Sequence, residues 1–365
     1  MKIIFDNKIF INQIHGGPSV YFINLIKNLK NLNCEVKLSS KLHLNDYLDQ
    51  NKKKIIDECF KIPLNKSLVK VNYIKKLLHS YSYKSHMKKI YQFKPDIIHT
   101  TYYDRYFLRN KKSQNVLTVF DLIVEKFPEL YKVNKNYLPK KKVLDEVDKI
   151  ICISENTKKD LINIYNVNEK KIDVIYLGYP TKKKELIIIK ENPYILFVGT
   201  RWKYKNFFKF IEAFSQNKKV NNDFKIICFG GGQFSKIEKN KLKYLGLKED
   251  KIIQIEGDDT LLHSYYKNAS VFIYPTLYEG FGLPILESFL YECPVVCSKT
   301  SSLPEVAGSG AIYFDPEDVE SISYALETIL YSIEKQKKLI KEGTNQLKKF
   351  SWKKTSQKTL DFYKI

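Results

Sequence analysis

The sequence predicts an α/β protein of two doubly wound, Rossmann-like domains, and three observations carry that prediction. Short apolar runs recur along the chain: 2–5, 34–38, 96–100, 115–120, 149–153 and 171–176, then 194–198, 224–229, 251–255, 271–274, 294–298 and 311–314. Runs that are apolar on both faces mark strands inside a buried parallel sheet. Helical patterns fill the gaps and supply the crossovers. Phe207, Phe210, Ile211 and Phe214, for instance, share one helix face at i, i+3, i+4 and i+7. Between the two series lies 179–193, where Pro180 and Pro193 bracket a lysine-rich stretch without a packing pattern. Ile187 to Ile189 form an apolar patch inside it with no assignable place. These boundaries make residues 1–180 a first domain, 181–193 a linker, 194–349 a second domain and 350–365 a terminal helix. Ligands of such sheets bind beyond the carboxyl ends of the strands, so the chemistry is sought in the strand-to-helix turns.

A chain of 365 residues with 44% hydrophobic content can bury two cores. The formal charge is +22, yet only Arg105, Arg109 and Arg201 are arginines, and the lysine is spread along a chain rich in Asn, Ile and Tyr. Nucleic-acid recognition favours the bidentate guanidinium, so nucleic acid is not an expected partner. Anionic lipid headgroups or sugar nucleotides suit a lysine-rich face better. The six cysteines show no CxxC spacing and read as buried thiols in a reducing compartment. No apolar run approaches about 20 residues, so no spanning helix is expected. Asp6 and Lys8 cut the opening strand too short for a signal peptide. A cytoplasmic protein follows, with a peripheral position at the inner face of the cytoplasmic membrane as a variant of that reading.

Four turns stand out. Gly16-Gly17-Pro18-Ser19 opens a helix whose inward face is Phe22, Leu25, Ile26 and Leu29. Glycines let an anion approach the backbone and a helix start offers N–H donors, although a plain tight turn fits equally well. Gly199-Thr200-Arg201 to Lys205-Asn206 ends a strand and sets positive side chains before a helix. That suits a diphosphate, with a solvated basic loop as the alternative. Gly230-Gly231-Gly232 lacks the G-x-G-x-x-G spacing of a nicotinamide site.

The most informative turn is Glu279-Gly280-Phe281-Gly282-Leu283-Pro284-Ile285-Leu286-Glu287. Pro284 suits the first helical position, so N–H groups near Phe281, Gly282 and Leu283 can meet a phosphate. Glu279 and Glu287 can face the same crevice, where a carboxylate suits ribose or sugar hydroxyls. A capping loop with two exposed glutamates explains less of this nine-residue pattern.

That segment resembles the E-x7-E signature of retaining glycosyltransferase family 4, the group 1 glycosyltransferases of the GT-B fold, in which two Rossmann-like domains face a central cleft. The resemblance spans nearly the whole chain. It passes through Gly16-Gly17, Pro95-Asp96-Ile97-Ile98-His99, Thr118-Val119-Phe120-Asp121-Leu122, Ile153-Ser154-Glu155-Asn156-Thr157, Phe197-Val198-Gly199-Thr200-Arg201 and Ser302-Leu303-Pro304-Glu305-Val306. It implies a nucleotide-diphosphate sugar as donor, a glycan or lipid-linked acceptor on the first domain, and no required cofactor or metal. By resemblance, Gly16 and Gly17 would lie against the donor diphosphate, and Arg201 and Lys205 would neutralise it. Glu287 would bind the ribose. Glu279, with the amides of Phe281, Gly282 and Leu283, would hold the transferred sugar and phosphates. The stretch 350–363 resembles the helix that crosses back to the first domain.

One position departs from the family pattern. Many relatives carry histidine immediately before the aspartate of the Thr-Val-x-Asp-Leu run; here that residue is Phe120, which leaves Asp121 as the candidate at this point. His99 matches a recurring family histidine at a strand end, and His15 flanks the glycine pair. Both are secondary candidates, and a structural role for His99 stands beside the functional one. The basic, aromatic stretch 66–94 (Tyr73, Ile74, Leu77, Leu78, Tyr81) either packs on the first domain or leans on a membrane.

The resemblance implies retention of anomeric configuration. No side-chain nucleophile is evident, and a front-face mechanism needs none: the leaving phosphate can accept the acceptor's proton, and the protein stabilises the departing diphosphate. The expected activity is sugar transfer in surface polysaccharide or O-antigen synthesis, with mannose frequent among the donors of similar proteins. A sugar-nucleotide epimerase of the same fold and an inactive sugar-nucleotide-binding member are the alternatives.

Overall fold

The computed structural model describes residues 1–55, 59–62, 71–108, 112–131, 137–179, 186–189, 193–201 and 203–365. The chain divides into two compact units. One comprises Met1–Leu122, Lys132–Gly178 and Ser351–Ile365; the other comprises Ile123–Tyr131 and Tyr179–Phe350. The short segment Ile123–Tyr131 thus belongs with the second unit although it lies within 1–180. Phe127 accounts for this by setting its ring edge-on to Tyr278, 6.3 Å between centroids. Much of the expected linker, and residues 66–70 of the basic stretch, lie outside the described residues. Leu186 to Ile189 are described: Ile187 N donates to Ser264 Oγ at 2.9 Å, and Ile189 is buried.

In the first unit the strands are β1 (Lys2–Phe5), β2 (Glu35–Leu38), β5 (Ile97–Thr100), β6 (Gln114–Val119), β7 (Lys149–Cys152) and β8 (Ile172–Val174). They form one parallel sheet in the order β2-β1-β5-β6-β7-β8. Two further short strands, β3 (Leu42–His43) and β4 (Phe60–Lys61), pair with each other and were not foreseen. The central strands β5 and β6 are buried almost throughout, as their continuous apolar runs require. Strand order reverses between β1 and β5. There Asp6, fully buried, accepts from Thr101 N and Thr101 Oγ1, both at 2.6 Å, and ties the two strand ends together.

The helix Gly17–Asn31 lays Phe22, Leu25, Ile26 and Leu29 against this sheet, all four fully buried. The helix Trp352–Lys364 belongs to the same unit. Its N-cap Ser351 accepts from Lys354 N, Thr355 Oγ1 donates to Tyr176 O at 2.8 Å, and Lys149 Nζ reaches Phe362 O at 2.7 Å.

The second unit contains β9 (Tyr194–Val198), β10 (Lys225–Phe229), β11 (Ile252–Ile255), β12 (Val271–Tyr274), β13 (Val295–Ser298) and β14 (Ala311–Phe314). Their order is β11-β10-β9-β12-β13-β14, all parallel. This is the 3-2-1-4-5-6 arrangement of dinucleotide folds, with its switch point between β9 and β12. The helix Phe207–Gln216 packs Phe207, Phe210, Ile211 and Phe214 onto the sheet with 1% exposure or less. Each such burial contributes about 1.5–3 kcal/mol. The twelve strands of the two large sheets match the expected runs to within two residues at either end. Among the described residues no helix is long and apolar enough to cross a membrane.

Candidate active site

A crevice at a topological switch point collects the loops that leave the two flanking strands. In the second unit these loops follow β9 and β12. They carry Lys205 and Glu279, and the side chains meet: Lys205 Nζ lies 2.6 Å from Glu279 Oε1 and donates to Tyr274 Oη at 3.3 Å. Both charged side chains keep only about an eighth to a seventh of their surface, 15% and 13%.

The two loops are held together locally. Lys205 ends a single 3-10 turn, Lys203–Lys205, followed by Asn206 in the left-handed region at φ 56°, whose Nδ2 donates to Pro316 O at 2.7 Å. Tyr204 O accepts from Leu277 N and Thr276 Oγ1 at 2.7 and 3.2 Å, which pins the β12 loop to the β9 loop. On the other side Ser301 Oγ accepts from Glu279 N at 3.0 Å, and Ser302 Oγ lies 2.9 and 2.8 Å from the carbonyl oxygens of Glu279 and Phe281.

Gly282 has φ 118°, and a Cβ there would sit 3.0 Å from Leu303 Cδ2, so this turn requires glycine. The helix Leu283–Leu290 begins immediately after it, with Pro284 as its second residue and not its first.

Glu287 lies one turn into that helix, half-buried, and Tyr266 Oη donates to its Oε2 at 3.0 Å. Burial pushes its pKa up to about 7; the Tyr266 bond opposes that rise and nearby Asp259 adds to it. Tyr274, at the end of β12, feels both carboxylates: burial, then Glu279 and then Glu287 raise its phenol well above the usual range. Tyr179 is likewise raised, by burial first and then by Glu287. Sequence spacing does not mark Tyr179, Tyr266, Tyr274, Ser301 and Ser302 as site neighbours. Their roles depend on which helix face or strand end meets which carboxylate, and no local spacing encodes that.

Arg201, expected beside Lys205 on the diphosphate, points elsewhere. Its side chain is 3% exposed and its Nε donates to Glu238 Oε1 at 2.6 Å.

In the first unit, Gly16 caps and Gly17 begins the helix Gly17–Asn31, and Ser19 Oγ donates to Gly16 O at 2.7 Å. His15 Nε2 lies 3.0 Å from Asp46 Oδ2, with its ring edge-on to Tyr47 and well exposed. Asp121 is half-buried after β6. Phe120, in the place of the family histidine, sets its ring edge-on to Tyr21 and Phe22 at 5.3 and 5.9 Å.

His99 is fully buried between the rings of Phe5 and Phe22. Its Nδ1 meets Tyr363 Oη at 2.5 Å and its Nε2 meets Thr118 Oγ1 at 2.9 Å. Burial pushes its pKa down to about 3, so it stays neutral and joins the terminal helix to the sheet. Both ring nitrogens are engaged inside the core.

Two family models match in succession. Glycosyltransferase Family 4 covers residues 15–183, and Glycosyl transferases group 1 covers residues 178–346, the segment that holds Lys205, Glu279 and Glu287. The chain belongs to the group 1 glycosyltransferases. This group 1 glycosyltransferase is 27% identical over 276 residues to the O-antigen chain mannosyltransferase B of Escherichia coli, covering 71% of this chain and 72% of that protein. It is 31% identical over 238 residues to the O-antigen chain mannosyltransferase RfbU of Salmonella typhimurium, covering 64% of each. The match therefore spans just under two thirds of the length of RfbU. Anabaena HepE, solved in complex with UDP and glucose, superposes with a TM-score of 0.73 at 16% identity, over 99% of this chain and 98% of that one. That likeness establishes the GT-B fold. The protein is a glycosyltransferase enzyme, and enzymes of this fold use nucleotide-sugar donors and glycan acceptors.

Proposed function

We propose that this glycosyltransferase moves a mannosyl residue, with retention, from a nucleotide-diphosphate mannose to a glycan or lipid-linked acceptor in O-antigen or surface polysaccharide synthesis. The observation that carries the reading is the Lys205–Glu279 pair at the switch point between β9 and β12. It sets a cation for a diphosphate and a carboxylate for sugar hydroxyls in one place. The names of the two O-antigen relatives support mannose as the sugar. In this reading Lys205 and the amides of Phe281, Gly282 and Leu283 stabilise the departing diphosphate, and the family resemblance gives Gly16 and Gly17 a diphosphate role as well. Glu287 takes the ribose. Asp121 and His15 stand on the acceptor side. The donor is the only small molecule the reading requires.

The acceptor-side face fits a lipid surface. The helix Val71–Phe93 contains no carboxylate. Its exposed positions include Leu77, Tyr81 and Tyr91 beside Lys76, Lys84 and Lys88. Its end borders a cleft of about 570 Å³ whose lining includes Lys2, Lys30, Lys37, Lys41 and Lys89 against one carboxylate, Glu35, which pairs with Lys37 at 3.6 Å. Such a face attracts anionic headgroups.

The deciding experiment is transfer from GDP-mannose and from UDP-sugars to a lipid-linked glycan in vesicles of anionic or neutral lipid. The expected result is an α-mannosyl product from GDP-mannose, formed faster on anionic vesicles. Conversion of the sugar nucleotide to its epimer without acceptor and without net release of nucleotide would move the reading to an epimerase. No release with any donor would mark an inactive binder, and equal rates on both vesicles would remove the membrane.

A second expectation concerns pH. A carboxyl with its pKa near 7 holds a proton below that value and accepts ribose hydroxyls best above it. Donor affinity should therefore rise as pH increases through about 7, and Glu287→Gln should flatten the profile. A wild-type Kd independent of pH between 6 and 8 would remove Glu287 from the ribose.

A further inference from the structure

Three successive glycines after β10 adopt left-handed backbone: Gly230 at φ 80°, Gly231 at 78° and Gly232 at 73°. L side chains rarely occupy this region even once. The turn gathers its carbonyl oxygens toward one point, and Arg201 fills it. Nη1 donates to Gly230 O at 3.1 Å. Nη2 donates to Gly232 O at 2.6 Å, with Gly231 O and Gln233 O each at 3.3 Å. Nε closes on Glu238, and the guanidinium lies over the Phe234 ring, 4.5 Å from its centroid.

Glu238 is itself fixed. It completes a capping box with Ser235 at the start of the helix Lys236–Tyr244, its Oε2 accepting from Ser235 N at 2.7 Å. Burial opposes its ionisation, but the hydrogen bonds from Ser235 and Arg201 outweigh that and hold it below the usual carboxylate range. The space is also closed: a Cβ on Gly231 would stand 2.8 Å from Gly199 O and 2.9 Å from Arg201 Nη1. A guanidinium with its donors on four carbonyls and a carboxylate has little left for a ligand.

We propose that Arg201 is a positioning residue, a clamp that fastens the glycine turn after β10 to the β9 loop carrying Lys205, and that Lys205, and not Arg201, meets the donor diphosphate. This rests on the donor reading given above. The two assignments predict different behaviour toward ligands that differ by one phosphate. A residue touching the diphosphate changes what the second phosphate adds to binding. A clamp changes the shape of the whole site and weakens both ligands alike.

The test titrates wild type, Arg201→Ala, Glu238→Ala and Lys205→Ala with GDP and GMP, and with UDP and UMP. Lys205→Ala should shrink the diphosphate-to-monophosphate affinity ratio by about tenfold, the worth of one charge-assisted bond. Arg201→Ala should weaken both ligands while leaving that ratio within about twofold, and Glu238→Ala should reproduce it because they hold one clamp. Arg201→Lys, which keeps the charge and loses the fork, should fail to rescue. A ratio that collapses in Arg201→Ala, or a full rescue by lysine, overturns the clamp.

If the alanine variant does not fold, the lysine and Glu238→Ala proteins carry the same comparison. If wild type binds none of the four ligands, the donor reading fails. The clamp is then read from urea unfolding of the single and double Arg201 and Glu238 variants: additive losses overturn it, and a double no worse than either single supports it.

Discussion

Lys205→Ala should lower kcat/KM by about 10²-fold or more while leaving the protein folded, the usual effect of removing one preorganised electrostatic group from a site. Two effects add. The ammonium that meets the charge developing on the leaving diphosphate is gone. In addition, Glu279, 13% exposed and 2.6 Å from that ammonium, loses its counter-ion where an anion must bind. The second effect can be separated from the first. Lys205→Met combined with Glu279→Gln removes both charges, so the double variant should bind nucleoside diphosphate better than Lys205→Ala alone although its turnover stays low. The bonds from Leu277 N and Thr276 Oγ1 to Tyr204 O do not involve the Lys205 side chain and keep the two loops joined in all of these proteins. Steady-state kinetics with GDP-mannose and a lipid-linked acceptor measures the effect. An unchanged kcat/KM in a folded Lys205→Ala protein would take Lys205 out of the donor site and leave the Lys205–Glu279 pair as packing.

This pair also marks how far the sequence could be read. Strands of a parallel sheet are buried on both faces, so they appear as uninterrupted apolar runs, and all twelve strands of the two large sheets were legible for that reason. The turns were legible because Gly282 must be glycine and because Pro284 announces a helix start. What was not legible is lateral. The sequence neighbours of Arg201 suit a phosphate ligand. Its true neighbours are the carbonyls of another strand's turn and a capping glutamate 37 residues away. His99 stands at a strand end, where ligands gather, yet its two partners come from β6 and from the last helix of the chain. Tyr266 reaches Glu287 from a helix whose pattern says only that one face is apolar. Pairing across strand order is a tertiary fact, and a one-dimensional pattern carries the strands without carrying the pairings.

Gly178→Ala should destabilise the first unit by about 3 kcal/mol, the upper end of the usual cost of overpacking, because the obstruction is backbone and cannot rotate away. A Cβ at this position would lie 2.2 Å from Trp352 N, 2.5 Å from Trp352 Cα and 2.6 Å from Ser351 C. Relief requires moving the start of the helix Trp352–Lys364 by about an ångström, since Cβ atoms essentially never come closer than about 3 Å to another heavy atom. That shift strains every bond anchoring the helix: Ser351 to Lys354, Thr355 to Tyr176, Lys149 to Phe362, and Tyr363 to the buried His99. Gly246→Ala is the matched control. It lies in the second unit at φ 66° with no atom within 4 Å of its Cβ position, so it suffers backbone strain without a clash, should cost that unit about 1 kcal/mol and should leave the Trp352 transition in place. Urea unfolding followed by Trp352 fluorescence in a Trp202→Phe background reads the first unit, and amide exchange over the terminal helix should quicken in Gly178→Ala alone. A shared midpoint for Gly178→Ala and wild type would mean that the Ser351–Trp352 backbone yields freely. The terminal helix would then be held by its side chains and not by this close backbone approach.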